Sequence, residues 1–173
     1  MEAYEFSSLI DEYGNCIYRF CKGMTYTIED AEDLYQQTFL TAFEKRYKLD
    51  RSNNPKAYLM TIASNLWKTH KRTYARHERI APTVSYDDME HDVADDKDDI
   101  DESLIRSEEE RILRENIDKL PEKYKQVIVM FYSSELSIED ISKVLHIPKG
   151  TVKSRLHNAK EQLRMMMESE VRP

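Results

Sequence analysis

Glycine, proline and cysteine are scarce in this sequence of 173 residues, which holds 3 glycines, 5 prolines and 2 cysteines. So few turn-forming residues argue against β-sandwiches and barrels, and the abundant Glu, Lys, Leu, Ala, Met and Arg favour helices. The longest apolar run covers the six residues from Val127 to Tyr132, far short of the roughly 20 that a membrane span needs. The first residues lack the basic region and apolar stretch of a signal peptide. We therefore expect a soluble, cytoplasmic, all-α protein.

Residues suited to metal binding or catalysis form no recognisable pattern. Cys16 and Cys21 lie five residues apart on one predicted helix, whereas metal sites favour closer pairs with further ligands. No carboxylate or cysteine is arranged around His70 and His77 in the manner of a metal site. The sequence also contains no Gly-rich phosphate loop, nucleophile elbow or His-Glu-x-x-His motif. We expect no metal, no cofactor and no enzymatic activity.

Negative charge is concentrated in one stretch. Residues 81–102 hold ten acidic residues and one basic residue, whereas residues 1–80 and 103–173 each carry a net charge of +1. Like charges at this density extend a chain, and few apolar residues are present to fold it. This pattern predicts two small helical domains, 1–80 and 103–173, joined by a flexible acidic linker, 81–102. The stretch is either a solvated tether or an acidic mimic of nucleic acid that covers a basic surface.

Three helices are predicted in the N-terminal domain. The first covers about residues 6–22 and ends at Gly23. The second follows a capping box at Thr27 and continues to about residue 47, and the third follows Pro55 and continues to about residue 79. The buried face predicted for the second helix consists of Ile28, Ala31, Leu34, Tyr35, Thr38, Phe39 and Ala42.

Leu40 is an apolar residue on the polar face of the second helix, which also carries Asp33, Gln36, Gln37 and Glu44. A single exposed leucine is common and usually has no function. Surrounded by short polar side chains, it is equally consistent with the anchor of a docking surface. The spacing leaves both interpretations open.

The outward face of the third helix is basic. Between residues 66 and 79 there are five basic residues and one acidic residue, with Trp67 and Tyr74 among them. Such a face is either simply solvated or suited to single-stranded nucleic acid, where cations contact phosphates and aromatic rings stack on bases. The polar loop at 50–54 is also a candidate site for an extruded base. The outward residues are Thr61, Ser64, Asn65, Lys68, Lys71, Arg72, Arg76 and Arg79.

The C-terminal domain contains a predicted helix-turn-helix. A helix over about 103–120 and another that opens at Pro121 precede it. A capping box at Ser137 then starts a short helix, His146 and Ile147 form a tight turn, and Pro148 starts a long helix that buries Val152 and Leu156. Short polar side chains flanked by bases suit a major groove, although a helical hairpin without a DNA role is the alternative. The outward residues are Lys149, Gly150, Thr151, Lys153, Ser154, Arg155, His157, Asn158 and Lys160.

Three segments resemble bacterial RNA polymerase sigma factors of the extracytoplasmic-function (ECF) group, within the sigma-70 family. DAEDLYQQTFL at 30–40 resembles the polymerase-binding helix, and AYLMTIASNL at 57–66, with Arg72 beyond it, resembles the −10 element helix. IPKGTVKSRL at 147–156 is similar to the −35 recognition helix. The three motifs follow the order of the family and cover nearly the whole chain apart from the acidic stretch.

The resemblance implies a specificity subunit that directs core RNA polymerase to promoters and has no catalytic residue of its own. Asp33, Gln36, Gln37 and Leu40 would contact the core enzyme. The melted −10 strand would be held by Asn53, Asn54, Thr61, Ser64, Asn65, Lys68, Lys71, Arg72 and Arg76. The outward residues from Lys149 to Lys160 would read the −35 duplex.

The resemblance also implies control by an anti-sigma factor that releases the chain on a stress or envelope signal, without membrane insertion of the chain itself. A self-sufficient helix-turn-helix repressor or activator is the alternative function. Such proteins usually form dimers on palindromic sites, and no dimerisation segment is evident in this sequence.

Overall fold

The computed structural model describes residues 3–80 and 100–171, and these residues form helices and short connections without a β-strand. The acidic stretch up to residue 99 and the side chains of Tyr74, His77 and Arg79 lie outside the described residues. The helices are α1 (Ala3–Met24), α2 (Ile28–Glu44), α3 (Pro55–Ile80), α4 (Ile100–Lys119), α5 (Glu122–Ile128), α6 (Ile138–Leu145) and α7 (Lys149–Val171). The prediction of an all-α protein is confirmed.

The helices α1, α2 and α3 pack against one another, and their buried residues form one continuous core with those of the later helices. Thr27 caps α2 as predicted, because its hydroxyl accepts a hydrogen bond from the Asp30 amide at 3.1 Å. α2 ends at Glu44, three residues earlier than expected, and a short 3₁₀ turn, Arg46–Lys48, follows it. The prediction that Ile28 is buried is wrong, since 46 % of this residue is exposed at the first turn of the helix. The buried residues of α2 are Ala31, Leu34, Thr38, Phe39 and Ala42.

The C-terminal domain consists of α4 to α7 and contains the predicted helix-turn-helix. α5 continues into a π-helical turn, Val129–Ser133. The Ser137 hydroxyl caps α6 by accepting the Asp140 amide at 3.0 Å. His146 ends α6 in the left-handed conformation, with φ of 54°, and this turns the chain sharply into α7. The predicted buried stripe of α7 is confirmed at Val152, Leu156, Ala159 and Leu163.

The two domains pack directly against each other, which the sequence did not predict. Gly23 was expected to end α1; the helix ends one residue later, at Met24, and Gly23 in its last turn faces the π-helical turn of the other domain. A Cβ atom on Gly23 would lie 2.6 Å from Cγ1 of Val129, so a larger residue would hold the domains apart. Nearby, the Arg114 guanidinium donates to the Lys22 carbonyl at 2.8 Å, and the Ser134 hydroxyl donates to the Cys16 carbonyl at 3.0 Å.

The C-terminal boundary of the acidic stretch also needs a correction. Residues 100–102 were assigned to the linker, but they form the first turn of α4. Residues 81–99 therefore connect the end of α3 to the start of α4.

Candidate polymerase and nucleic-acid interfaces

The exposed face of α2 is a compact patch with one apolar side chain at its centre. Leu40 is 60 % exposed, and Asp33, Gln36 and Gln37 are exposed on the same helix. The opposite face of α2 packs into the core through Leu34 and Phe39, so the orientation of this patch is determined by burial. An exposed leucine ringed by short polar groups has the form of a docking anchor.

Part of the predicted outward face of α3 is exposed. Asn65, Lys68 and Arg72 are exposed along one side of the helix, as are Lys71 and Arg76. Thr61 is half-buried, and its hydroxyl donates to the Ala57 carbonyl one turn earlier at 2.8 Å. This arrangement provides a row of cations that can contact phosphates.

Two residues of α3 do not lie where their spacing placed them. Ser64 is only 1 % exposed, so the prediction that it faces outward is wrong. Trp67 was expected to offer a ring for stacking on bases, but it is only 7 % exposed. Its indole nitrogen donates to Oε1 of Glu122 in α5 at 2.7 Å. The cause in each case is tertiary packing around α3, which the periodicity of one helix cannot reveal.

The loop before α3 also contacts the other domain. The Asn54 side chain caps α3, because its Oδ1 accepts a hydrogen bond from the Ala57 amide at 3.1 Å. The Nδ2 group of Asn54 donates a hydrogen bond to Oδ1 of Asp140 in α6 at 2.7 Å. Lys56 donates to the Glu135 carbonyl at 3.1 Å. Asn53 is exposed. In this conformation the Asn54 side chain is engaged by protein, whereas Asn53 is accessible.

The outward face of α7 lies as predicted. Ser154, His157 and Asn158 are exposed, opposite the buried Val152 and Leu156. Thr151 and Arg155 are half-buried at the edges of this face. Short polar groups at the centre of an exposed helix face can reach base edges in a major groove.

The margins of α7 carry cations that have partners within the chain. Lys149 lies 3.8 Å from Oε2 of Glu139, and Nζ of Lys160 lies 5.3 Å from the centre of the Tyr132 ring. Lys153 is exposed. A Cβ atom on Gly150 would meet no other atom within 4 Å, so the first turn of α7 is open to an approaching phosphate.

A cleft of about 600 Å³ between the domains brings the α3 cations close to α7. Lys68, Lys71 and Arg72 line one wall, and Arg155 lines the other. Lys123 and Gln126 of α5 also line the cleft, and sequence reasoning missed both. No local pattern marks them, because the facing wall is formed by residues more than 50 positions earlier in the chain.

The cysteines are poor candidates for ligands or nucleophiles. Burial raises the pKa of the Cys21 thiol to about 12 and also raises that of Cys16. Both thiols are therefore protonated at neutral pH, and the thiolate is the form that binds metals. Among the residues whose side chains the structure describes, no group of three or more His, Cys, Asp or Glu residues is placed to hold a metal ion.

The fold and the exposed α7 define an all-α protein with a helix-turn-helix, and comparisons with known proteins identify its family. Residues 9–77 match the family Sigma-70 region 2, and residues 110–163 match Sigma-70, region 4. The chain is 32 % identical over 166 residues to the ECF RNA polymerase sigma factor SigW of Bacillus subtilis, covering 94 % of this chain and 88 % of the relative. It is 27 % identical over 154 residues to SigM of the same organism, covering 89 % of this chain and 90 % of that protein. The chain belongs to the ECF RNA polymerase sigma factors.

The fold is shared with solved structures, one of which is a sigma factor. The sigma factor RpoE of Bartonella quintana, in complex with the anti-sigma factor NepR, matches with a TM-score of 0.79 and 21 % identity, covering 99 % of this chain and 100 % of that chain. CnrH, in complex with the cytosolic domain of CnrY, matches with a TM-score of 0.70 and 18 % identity over 97 % of this chain and 90 % of that chain.

Family membership confirms the resemblance seen in the three motifs. The chain is a transcription initiation factor that directs core RNA polymerase to promoters, and the alternative of a self-sufficient repressor or activator is not supported. In the part of the chain that the structure describes, no helix has both the length and the apolar character needed to cross a bilayer.

Proposed function

We propose that this sigma factor works through three separate surfaces. Asp33, Gln36, Gln37 and Leu40 of α2 dock on core RNA polymerase. The −35 duplex is contacted by the outward residues of α7, namely Lys149, Gly150, Thr151, Lys153, Ser154, Arg155, His157, Asn158 and Lys160. The melted −10 strand is held by exposed or half-buried residues in and before α3, namely Asn53, Asn54, Thr61, Asn65, Lys68, Lys71, Arg72 and Arg76. The buried Ser64 takes no part in this proposal.

The observation that carries the proposal is the exposure of Ser154, His157 and Asn158 on one face of α7. The first residues of a recognition helix reach base edges when the opposite side of the helix is packed on the domain core. Val152 and Leu156 supply that packing. The chain itself then needs no catalytic group, because the polymerase supplies the chemistry of RNA synthesis.

We also propose that an anti-sigma factor holds this protein in the cytoplasm until a stress or envelope signal releases it. Support comes from the shared fold, because RpoE was solved in complex with the anti-sigma factor NepR. The proposed contacts with polymerase and DNA lie on exposed helix faces, which such a partner could cover.

Transcription with purified components tests the function. Core RNA polymerase, with and without this chain, would transcribe fragmented genomic DNA of the source organism, and the 5′ ends of the products would be sequenced. We expect a set of start sites that requires the chain and shares −35 and −10 sequences at a constant spacing. Identical 5′ ends with and without the chain would contradict the proposal.

A further inference from the structure

The cleft between the domains is strongly basic. Five cations line it, Lys68, Lys71, Arg72, Lys123 and Arg155, against the single carboxylate of Glu122. Glu122 is already engaged, because it accepts the Trp67 indole and pairs with Lys71 at 2.5 Å. Among the described residues, Lys68, Arg72, Lys123 and Arg155 form no ion pair with a carboxylate. A surface with this imbalance of charge attracts an anion.

A second and independent observation points to a ligand in the same cleft. Gln126 lines the cleft, is only 5 % exposed, and its amide nitrogen Nε2 has no hydrogen-bond partner among the described residues. A buried donor without a partner is costly, and native proteins satisfy nearly all such groups. The partner that this donor requires is an acceptor, such as a carboxylate, carbonyl or water oxygen. Half-buried Leu145 and Ile147 add an apolar floor, which suits a polypeptide.

The chain contains a segment with the complementary chemistry. Residues 81–99 hold eight acidic residues and one lysine, with Tyr86, Met89 and Val93 interspersed. The segment begins directly after α3, and Lys68 to Arg72 lie about 12–18 Å back along that helix. Nineteen residues can reach up to about 60 Å, so the segment is long enough to reach the cleft. Tethering at this length gives an effective concentration of roughly millimolar.

We propose that the acidic segment 81–99 occupies the interdomain cleft. Its carboxylates pair with the cations from α3, α5 and α7, and an acceptor of the segment satisfies Gln126. Since both walls contribute, the bound segment also holds the two domains together. Lys68, Arg72 and Arg155 belong to the proposed DNA surfaces, so the segment competes with promoter DNA. That consequence rests on the proposed function, whereas occupancy of the cleft does not.

Zero-length cross-linking with a carbodiimide tests occupancy in the intact chain. This reagent joins a carboxylate to a lysine amine only when the two are in contact, and peptide mass mapping identifies the pair. We expect links from the acidic residues of 87–99 to Lys68, Lys71 or Lys123, decreasing about fivefold when salt is raised from about 0.1 M to 0.5 M. Lys143, on α6 outside the cleft and highly exposed, is the control lysine. Links to Lys143 as abundant as those to the cleft lysines would overturn the proposal.

A binding experiment then tests whether the cleft is occupied by the chain's own acidic segment or is free for an acidic segment of another protein. A fluorescent peptide with the sequence of 81–99 is titrated into the native chain and into a chain whose acidic residues at 87–99 are changed to Asn and Gln. We expect the native chain to bind the peptide at least about tenfold more weakly, because its own segment competes at high effective concentration. Equally tight binding to both chains would mean that the cleft is free for another protein's acidic segment, and no binding would mean that it takes no acidic peptide. Either result contradicts the proposal.

A pair of matched substitutions tests the location. In the chain whose acidic residues at 87–99 are changed to Asn and Gln, Lys123→Glu should weaken peptide binding about fivefold or more. Lys143→Glu makes the same charge change outside the cleft and should alter peptide binding less than about twofold. Lys123 is not among the residues proposed to contact DNA. Equal effects of the two substitutions would place the peptide elsewhere. These measurements contain neither polymerase nor promoter DNA, so failure of the transcription experiment would leave this inference standing, and the reverse also holds.

Discussion

The two domains differ in how they use their outward helix faces. In the C-terminal domain, the polar face predicted for α7 remains exposed at Ser154, His157 and Asn158. In the N-terminal domain, the corresponding face of α3 is only partly exposed. Trp67 is buried and its indole donates a hydrogen bond to Glu122, and Ser64 is also buried. The difference arises because α3 lies against the second domain along part of its length. A polar face can therefore be an interface within the protein as readily as a surface for an external partner.

The largest effect is expected at the polymerase-docking patch of the N-terminal domain. Replacing Leu40→Asp together with Gln37→Ala should weaken association with core polymerase at least about tenfold, because apolar anchors within polar rims dominate docking energy. Helical content should not change, since both side chains are exposed. Ile28→Asp, an equivalent change at another exposed position of α2, is the control and should bind core normally. Co-elution of the double variant with core at the native level would contradict the assignment.

The contrast between α7 and α3 predicts two kinds of DNA-binding defect. Replacing Ser154, His157 or Asn158 should change which −35 base is preferred, by about 1–3 kcal/mol at one position. Replacing Lys68 or Arg72 should weaken binding to all promoters alike and reduce the salt slope by about one. Transcription from libraries randomised at the −35 element distinguishes the two outcomes. If the α7 substitutions lower transcription from all −35 sequences equally, the bases must be read by Lys153 and Arg155 instead.

The smallest effects are expected for two Gly→Ala substitutions. One glycine lies at the contact between the domains, and the other lies on an exposed helix. Gly→Ala inside an exposed helix stabilises by about 0.5–1 kcal/mol. Gly150 lies in the first turn of α7 and its Cβ would meet no atom within 4 Å, so we expect Gly150→Ala to give a gain of at most this size. Gly23→Ala should instead lower the free energy of unfolding by about 1 kcal/mol, because its Cβ would collide with Val129. Urea denaturation of both variants provides the measurement. A gain in stability for Gly23→Ala would mean that the domains do not pack closely at this point.

Local patterns predicted the helices well and their surroundings less well. Thr27 and Ser137 start α2 and α6 as expected, because a capping box depends only on neighbouring residues. The exposure of Leu40 followed from its position on the helix wheel. The end of α1 near Gly23 was predicted to within one residue, but the close approach of Gly23 to Val129 was missed because Val129 lies more than 100 positions away in the chain. Lys123 and Gln126 of the cleft escaped notice for the same reason.

The sequence by itself determined the helical class, the helix-turn-helix, the three motifs of the family and the concentration of negative charge at 81–102. These features depend on composition, spacing and short-range hydrogen bonds, which a single chain segment carries. Only the tertiary structure decided that the domains touch, that Trp67 is buried against α5, and that the cations of α3 share a cleft with Arg155 of α7. Such contacts join residues far apart in the chain, and their geometry depends on how whole helices pack, which no local periodicity records.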